Sequence, residues 1–237
     1  MDVLKTYKKL LAHFGPQGWW PIFDRESKCC KYFTIGNQVP NSNEQFEICA
    51  GAILAQNTAW KNVEKAVDTL YSVIPAKAGI SPQFILSCKN LGKLIQPAGY
   101  YNQKAKKMRI FSKWWISRCH CEEPKATRQS RKKQDCFATL AMAEMRSEIL
   151  SLWGIGPETA DSMLLYAFNK SVFVIDAYTK RLCKECGIEF KTYDEYRKFF
   201  ESQLLKSAKL FNEYHALIVA WGKLHAKDKS TATKIIK

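Results

Sequence analysis

No apolar run in this chain approaches the roughly 18–20 residues needed to cross a bilayer. Met1–Leu11 is short, basic and amphipathic, and does not read as a secretory signal. The expected setting is therefore cytoplasmic and nucleoid-associated, with no membrane partner. Internal repeats are missing. Acidic residues are scarce: 22 Asp and Glu stand against 37 Lys and Arg, a formal net charge of +15. An excess of this size bears on partners rather than fold, and nucleic acid is the natural polyanion. A paired set of CxxC motifs is also lacking. The nine cysteines are irregularly spaced at Cys29, Cys30, Cys49, Cys88, Cys119, Cys121, Cys136, Cys183 and Cys186. Free thiols are expected rather than a disulfide framework. Cys183-Lys-Glu-Cys186 has no second pair nearby, so two small, part-buried thiols on one helix are its plain reading; no metal site is expected.

The chain has 237 residues, 46% of them hydrophobic, enough for one large domain or two small ones sharing a cleft. Aromatic residues are numerous, so some must cap surfaces or line a pocket. Apolar residues recur at three- and four-residue steps over Phe46–Leu54, Val63–Leu70, Gln103–Trp115, Pro157–Phe168, Tyr196–Leu205 and Tyr214–Trp221. Only Val172–Ile175 looks strand-like, and a buried connector explains it equally well. The fold class is all-α. Ile74–Pro82 and the polar, basic Arg118–Cys136 interrupt the pattern, the latter as an exposed loop or a part-ordered insertion. The tail after Ala226 is expected to fray. Tyr101–Lys133 holds eleven Lys or Arg against two Glu, either a solvated face or a phosphate-facing one.

The most specific segment is Leu152-Trp-Gly-Ile-Gly-Pro-Glu-Thr-Ala160. Gly154 and Gly156 permit backbone angles and close approach that a Cβ would forbid. Pro157 suits the first helical position. The helix that follows directs its first N–H groups and its positive dipole end outward, an arrangement suited to a phosphate. A dinucleotide fingerprint is excluded because no strand precedes the pair and no third glycine follows at the required spacing. A tight turn between helices needs only one glycine, so helix–hairpin–helix is the better account. Asp176, about twenty residues on, precedes a predicted helix over Ala177–Cys186, where an aspartate is ordinarily an N-cap.

Four blocks in this order resemble the endonuclease III superfamily, the helix–hairpin–helix DNA glycosylases. They are Gly51-Ala-Ile-Leu-Ala-Gln-Asn-Thr-Ala-Trp60, Pro97-Ala-Gly-Tyr-Tyr-Asn-Gln-Lys-Ala105, Leu152–Ala160 and Val174-Ile-Asp-Ala-Tyr-Thr-Lys-Arg181. The resemblance extends from Trp19 to Lys223. It implies a two-lobed all-α fold with double-stranded damaged DNA in the cleft. The six-helix lobe would be 38–168, and the second lobe 1–37 with 169–237. It also implies that Asp176 is the essential carboxylate, stabilising positive charge on the sugar of a flipped nucleotide and orienting water. Gly154, Ile155, Gly156 and Thr159 would hold DNA. Gln56 would enter the gap left by the flipped nucleotide, although a backbone-bonded helix-terminal glutamine is the plainer reading.

Two departures matter. Relatives with lyase activity carry a lysine immediately before Thr159, where its neutral amine attacks the sugar; here that position is Glu158. Many relatives also hold an iron–sulfur cluster on four cysteines after the region matching Trp221-Gly-Lys-Leu-His225, and this sequence has no cysteine after Cys186. Neither lyase chemistry nor a cluster is expected.

Gln17-Gly-Trp-Trp-Pro21 resembles the cluster-free 3-methyladenine DNA glycosylases of the same superfamily. The resemblance implies a base pocket at Trp20, Pro21 and Phe46, with Trp19, Trp60 and Lys223 as further members. Alkylation leaves a purine cationic, and aromatic faces attract cations. Trp19 serves equally well as a staple to the core. His215 falls where relatives keep a histidine near the cleft, with helix packing as its plain role. The expected activity is base excision by a monofunctional, monomeric DNA N-glycosylase acting on alkylated purines. An endonuclease III-like glycosylase with apurinic/apyrimidinic lyase activity and a non-catalytic DNA-binding module are the competing readings.

Overall fold

The computed structural model describes residues 1–27, 29–32, 40–75, 78–121 and 141–237. The helices are α1 (Val3–Phe14), α2 (Ser42–Leu54), α3 (Trp60–Val73), α4 (Pro82–Ser87), α5 (Leu91–Leu94), α6 (Tyr101–Cys121), α7 (Met142–Ser151), α8 (Pro157–Ser162), α9 (Ala177–Glu185), α10 (Tyr193–Glu201), α11 (Ala208–Lys227) and α12 (Lys229–Ile236). Two short paired strands, β1 (Ile22–Asp24) and β2 (Cys29–Lys31), lie between α1 and α2. They were not expected from the sequence; the fold is otherwise all-α. Among the described residues no helix is long and apolar enough to cross a membrane. The expected polar segment Arg118–Cys136 begins inside α6 rather than in a loop, and its residues from 122 lie outside the described set, as do residues 76 and 77 of the Ile74–Pro82 segment.

Two compact units divide the chain. One comprises Met1–Pro21 and Leu164–Lys237 with a short stretch from Lys31, and the other Ile22–Cys30 and Pro40–Met163. Beside the expected 38–168 and 1–37 with 169–237, the differences are Ile22–Cys30, residues 38 and 39, and residues 164–168.

In the first unit the core is aromatic. Phe173 stacks on Phe200 at 4.4 Å and meets Phe211 and Tyr214 edge-on. Tyr214 Oη donates to the Val3 carbonyl at 2.9 Å, tying α1 to α11. Val172, Phe173, Val174 and Ile175 are all buried, with no alternation of faces, and form a connector rather than a strand. The tail is not frayed. Asp228 caps α12 by accepting from Thr231 N–H at 3.0 Å. Ala232 and Ile236 are buried, Trp221 Nε1 donates to the Ala232 carbonyl at 2.9 Å, and Lys9 Nζ donates to the Ile236 carbonyl at 3.2 Å. Anchors of this kind give a Lys- and Thr-rich tail a tertiary reason to be helical.

In the second unit α2 starts at a capping box, in which Asn41 accepts from the Glu44 N–H and Glu44 accepts from the Asn41 N–H. Every residue from Gln45 to Leu54 is buried, so α2 is a core helix. Glu47 is buried with them. Its carboxyl accepts from the Phe23 N–H at 2.7 Å and from the Tyr71 hydroxyl, which fixes β1. Burial pushes its pKa up to about 7 against these hydrogen bonds. Lys104 is the inward-facing cation of α6. Its Nζ donates to the Leu54 carbonyl at 2.7 Å, Thr58 Oγ1 at 2.7 Å and the Ala98 carbonyl at 2.8 Å, so all three of its protons are used. Burial, then Lys107, lowers its pKa to about 8.

Candidate active site

The first unit carries the carboxylate. Asp176 is the N-cap of α9, in extended backbone conformation, after the buried connector. Its Oδ1 accepts from Thr179 N–H at 2.7 Å and from Thr179 Oγ1 at 2.9 Å. Its Oδ2 lies 3.6 Å from His215 Nε2 on α11, an ion-pair distance rather than a hydrogen bond. Burial works to raise the carboxyl pKa, but the His215 ring and then the Thr179 donors outweigh it and hold the group below the usual carboxylate range. The group is thus both an N-cap and a charged carboxylate, 13% exposed.

Behind it, His215 Nδ1 lies 2.5 Å from Tyr166 Oη. Burial, then the charges of Asp176 and Glu213, push the Tyr166 phenol pKa well up. Tyr166 also packs on Trp20, with ring centroids 5.3 Å apart, and Trp20 meets Trp19 edge-on at 5.4 Å. Trp20 and Pro21 are buried and Trp19 is half-buried. Glu213 fixes the backbone leading to the tryptophans, accepting from the Gln17 N–H at 2.8 Å. Lys223 is exposed on α11, with Nζ 6.0 Å from the Trp19 ring centroid. Asp176, Trp19, Trp20 and Lys223 therefore share one unit. Helix α9 sits close on α11 because Gly222 leaves room for Tyr178: a Cβ on Gly222 would stand 2.1 Å from Tyr178 Cδ1.

The second unit carries the hairpin, between α7 and α8. Gly154 has φ +81°, and a Cβ there would stand 2.4 Å from Lys107 Cε. Gly156 differs. Its φ of −95° is open to any residue, and a Cβ would meet nothing within 4 Å. Among the described residues, the close approach expected at both glycines is made only at Gly154. Gly156 is the N-cap of α8 without a side-chain cap, and Pro157 follows in the first turn. Ile155 is buried and Glu158 exposed. Asp161 of α8 is buried and paired bidentately with Arg146 of α7, at 2.6 and 3.1 Å, which braces the two helices.

Gln56 follows α2 and is tied to the hairpin. Its Nε2 donates to the Gly154 carbonyl at 3.1 Å and to Thr159 Oγ1 at 2.9 Å, and its Oε1 accepts from Lys107 Nζ at 2.5 Å. Burial lowers the Lys107 pKa. Phe46 lies in the unit's core at 2% exposure, 6.0 Å from Phe111 and edge-on to Trp115 at 5.2 Å. Trp60 opens α3, with its indole N–H donating to Glu64 at 3.0 Å. Phe46 and Trp60 thus belong to a different unit from Trp20.

Sequence reasoning missed Tyr166, Thr179 and Lys107. The spacing Asp176-x-x-Thr179 was a readable cap signal. Tyr166 and Lys107 were not readable, because each meets its partner through packing far along the chain. The CxxC thiols are inert in character: burial raises the pKa of Cys183 to about 12 and also raises that of Cys186.

Comparison with known proteins shows the family. The family model described as HhH-GPD superfamily base excision DNA repair protein matches residues 50–205, which include Gln56, the hairpin and Asp176. A candidate DNA repair glycosylase of Methanocaldococcus jannaschii is 37% identical over 232 residues, covering 96% of this chain and 90% of that protein. The crystal structure of H. pylori 3-methyladenine DNA glycosylase (MagIII) bound to 1,N6-ethenoadenine is similar with a TM-score of 0.68 and 27% identity, covering 94% of this chain and 98% of that one. A trapped endonuclease III–DNA covalent intermediate shares the fold, with a TM-score of 0.64 and 16% identity over 96% of this chain and 88% of that one. The chain belongs to the HhH-GPD superfamily of base excision DNA repair proteins.

Proposed function

We propose that this protein is a monofunctional DNA N-glycosylase that releases alkylated purines such as 3-methyladenine from double-stranded DNA, acting as a monomer. The observation that carries this is Asp176: a largely buried carboxylate held ionised by His215 and Thr179. Cleavage of a glycosidic bond develops positive charge on the sugar, and a fixed anion in a water-poor site stabilises that charge. The leaving base supports the substrate class. An alkylated purine is cationic, leaves as a neutral base and needs no general acid. The half-buried Trp19 ring, with Trp20 packed edge-on against it, supplies the electron-rich aromatic surface that attracts such a base. The H. pylori relative, named for 3-methyladenine, supports the same class. At the hairpin, the uncapped α8 terminus and the unobstructed Gly156 suit close approach of a phosphate.

Capture by water rather than by an amine follows from Glu158, which stands exposed where lyase members have lysine. Lys107 gives the alternative its one specific support, because burial lowers its pKa and its side chain lies against Gly154. Its ammonium is, however, engaged with Gln56. An iron–sulfur cluster does not fit the chain: residues 187–237 contain no cysteine to match the ligands of cluster-bearing relatives.

The test is base release from duplexes containing 3-methyladenine, 7-methylguanine, hypoxanthine or thymine glycol, with borohydride present in a parallel reaction. Release of a methylated purine with no covalent DNA adduct is expected. A trapped adduct would overturn the monofunctional reading, and loss of Lys107 would then be the next variant to examine. Release of thymine glycol alone would overturn the alkylpurine assignment.

A further inference from the structure

Four of the six Lys and Arg side chains on α6 are spent within the protein. Lys104 gives its three protons to the Leu54 carbonyl, Thr58 and the Ala98 carbonyl. Lys107 is engaged with Gln56, Arg109 donates to the Cys88 carbonyl at 2.9 Å, and Arg118 is paired with Glu148. Lys106 and Lys113 remain. Both are exposed, and neither has an acidic partner among the described residues.

Of these two, Lys106 stands against the hairpin. Its Nζ lies 4.3 Å from the centroid of the Trp153 ring. Trp153 immediately precedes Gly154 and is 49% exposed, while Ile155 just beyond is buried. The Trp153 indole N–H has no acceptor among the described residues. A single exposed ring is ordinary on a protein surface. This one differs in its setting: an ammonium is held over it, its N–H donor is idle, and the exposed Gly154 adjoins it.

These features define what would fit them. A lysine already placed by an aromatic face gives up less freedom when it meets an anion. The indole N–H can only donate. The pair thus presents a cation, a donor and apolar ring surface. Its complement must carry negative charge and acceptors, with an apolar face between them. A DNA backbone, in which phosphates alternate with deoxyriboses, has this composition. The net charge of +15 favours the same partner.

We propose that Trp153 and Lys106 form a second backbone contact beside the hairpin. The Trp153 ring lies on a deoxyribose, its N–H donates to one phosphate, and Lys106 neutralises a neighbouring one. The proposal rests on the glycosylase reading only for its partner, duplex DNA. Contacts of this kind read no base, so they act on undamaged duplex as well as on damaged. Their contribution is to hold the enzyme on DNA before a lesion is met.

The experiment is equilibrium binding of the full chain to a short undamaged duplex over a series of salt concentrations. Wild type is compared with Lys106→Ala, Trp153→Phe and Lys5→Ala, the last removing the same charge from an exposed position on α1. Chemical denaturation of each variant is measured alongside. Lys106→Ala is expected to bind more weakly and to make the slope of log K against log salt shallower by about 0.9, the share of one phosphate. Lys5→Ala is expected to leave the slope unchanged. Trp153→Phe keeps a ring beneath Lys106 but loses the N–H; it is expected to weaken binding by about tenfold, with the slope unchanged. A wild-type slope in Lys106→Ala overturns the inference. Equal losses in Lys106→Ala and Lys5→Ala overturn it too, because the duplex then senses only total charge. Binding by Trp153→Phe as tight as wild type removes the indole from the contact and overturns the pairing. In each of these cases the glycosylase reading stands. A chain that shows the expected losses yet releases no base from any of the four lesions loses the glycosylase reading and keeps this contact.

Discussion

Asp176 has two jobs that ordinary mutagenesis would confuse, and a pair of substitutions separates them. As the N-cap of α9 it accepts from Thr179 N–H and Oγ1. As a carboxylate it supplies charge. Asp176→Asn keeps an acceptor for both Thr179 donors and removes the charge, whereas Asp176→Ala removes both. Loss of the cap costs about 1 kcal/mol, and leaving the fully buried Thr179 hydroxyl unpartnered adds about 1 kcal/mol more. The Ala variant should therefore unfold about 2 kcal/mol more easily than wild type. The Asn variant should lie within about 1 kcal/mol, the value of the lost interaction with the helix terminus. Acid should close that smaller gap. The folded carboxyl titrates below its ordinary value of 3.8, so its stabilisation is complete above 3.8 and is lost as pH falls through the folded value. Catalysis follows the other ordering. Both variants should lose about 10³-fold in single-turnover base release, roughly 4 kcal/mol of transition-state stabilisation. The measurements are urea unfolding at pH 7 and pH 3 and release of 7-methylguanine at pH 7. An Asn variant with release within tenfold of wild type, beside an inactive Ala variant, would refute the reasoning and reduce Asp176 to a cap.

Three further perturbations reach the supports of the two centres. Gly222→Ala places a Cβ 2.1 Å from Tyr178 Cδ1 and must push α9 from α11; about 1–3 kcal/mol of destabilisation is expected, with a slower release step because Asp176 caps the displaced helix, and an unchanged unfolding midpoint would contradict the close packing. Arg146→Leu strands the buried Asp161 carboxylate; a loss of about 3–5 kcal/mol is expected in denaturant unfolding, together with weaker duplex binding as the hairpin helices lose their brace. Glu47 titrates higher folded than unfolded, about 7 against 4.5, so its contribution is complete below 4.5 and is lost as pH rises through about 7. Wild type should accordingly lose on the order of 3 kcal/mol relative to Glu47→Gln between pH 4.5 and pH 8, and parallel stability profiles for the two would count against a buried, protonatable Glu47.

How much of this was legible in the sequence depended on the range of the forces involved. Helices driven by an apolar stripe or a local cap were readable: Asn41 and Glu44 announce α2, Pro157 announces α8, and Asp176 with Thr179 announces α9. The tail was misread because its helix is held by distant groups, the Trp221 indole and the Lys9 ammonium binding carbonyls of Ala232 and Ile236. The two glycines looked equivalent as a pair, yet only Gly154 has the positive φ and the crowding that exclude a side chain. Gly156 has room for one among the described residues, and an approaching phosphate is the group the proposed function would bring against it. The carboxylate shows the same division. Its capping partner is three residues away and could be read, while the histidine and tyrosine that complete its surroundings come from other helices and meet only in the fold. What the sequence could carry was the carboxylate itself; what holds it below the usual carboxylate range against burial is a property of the packing.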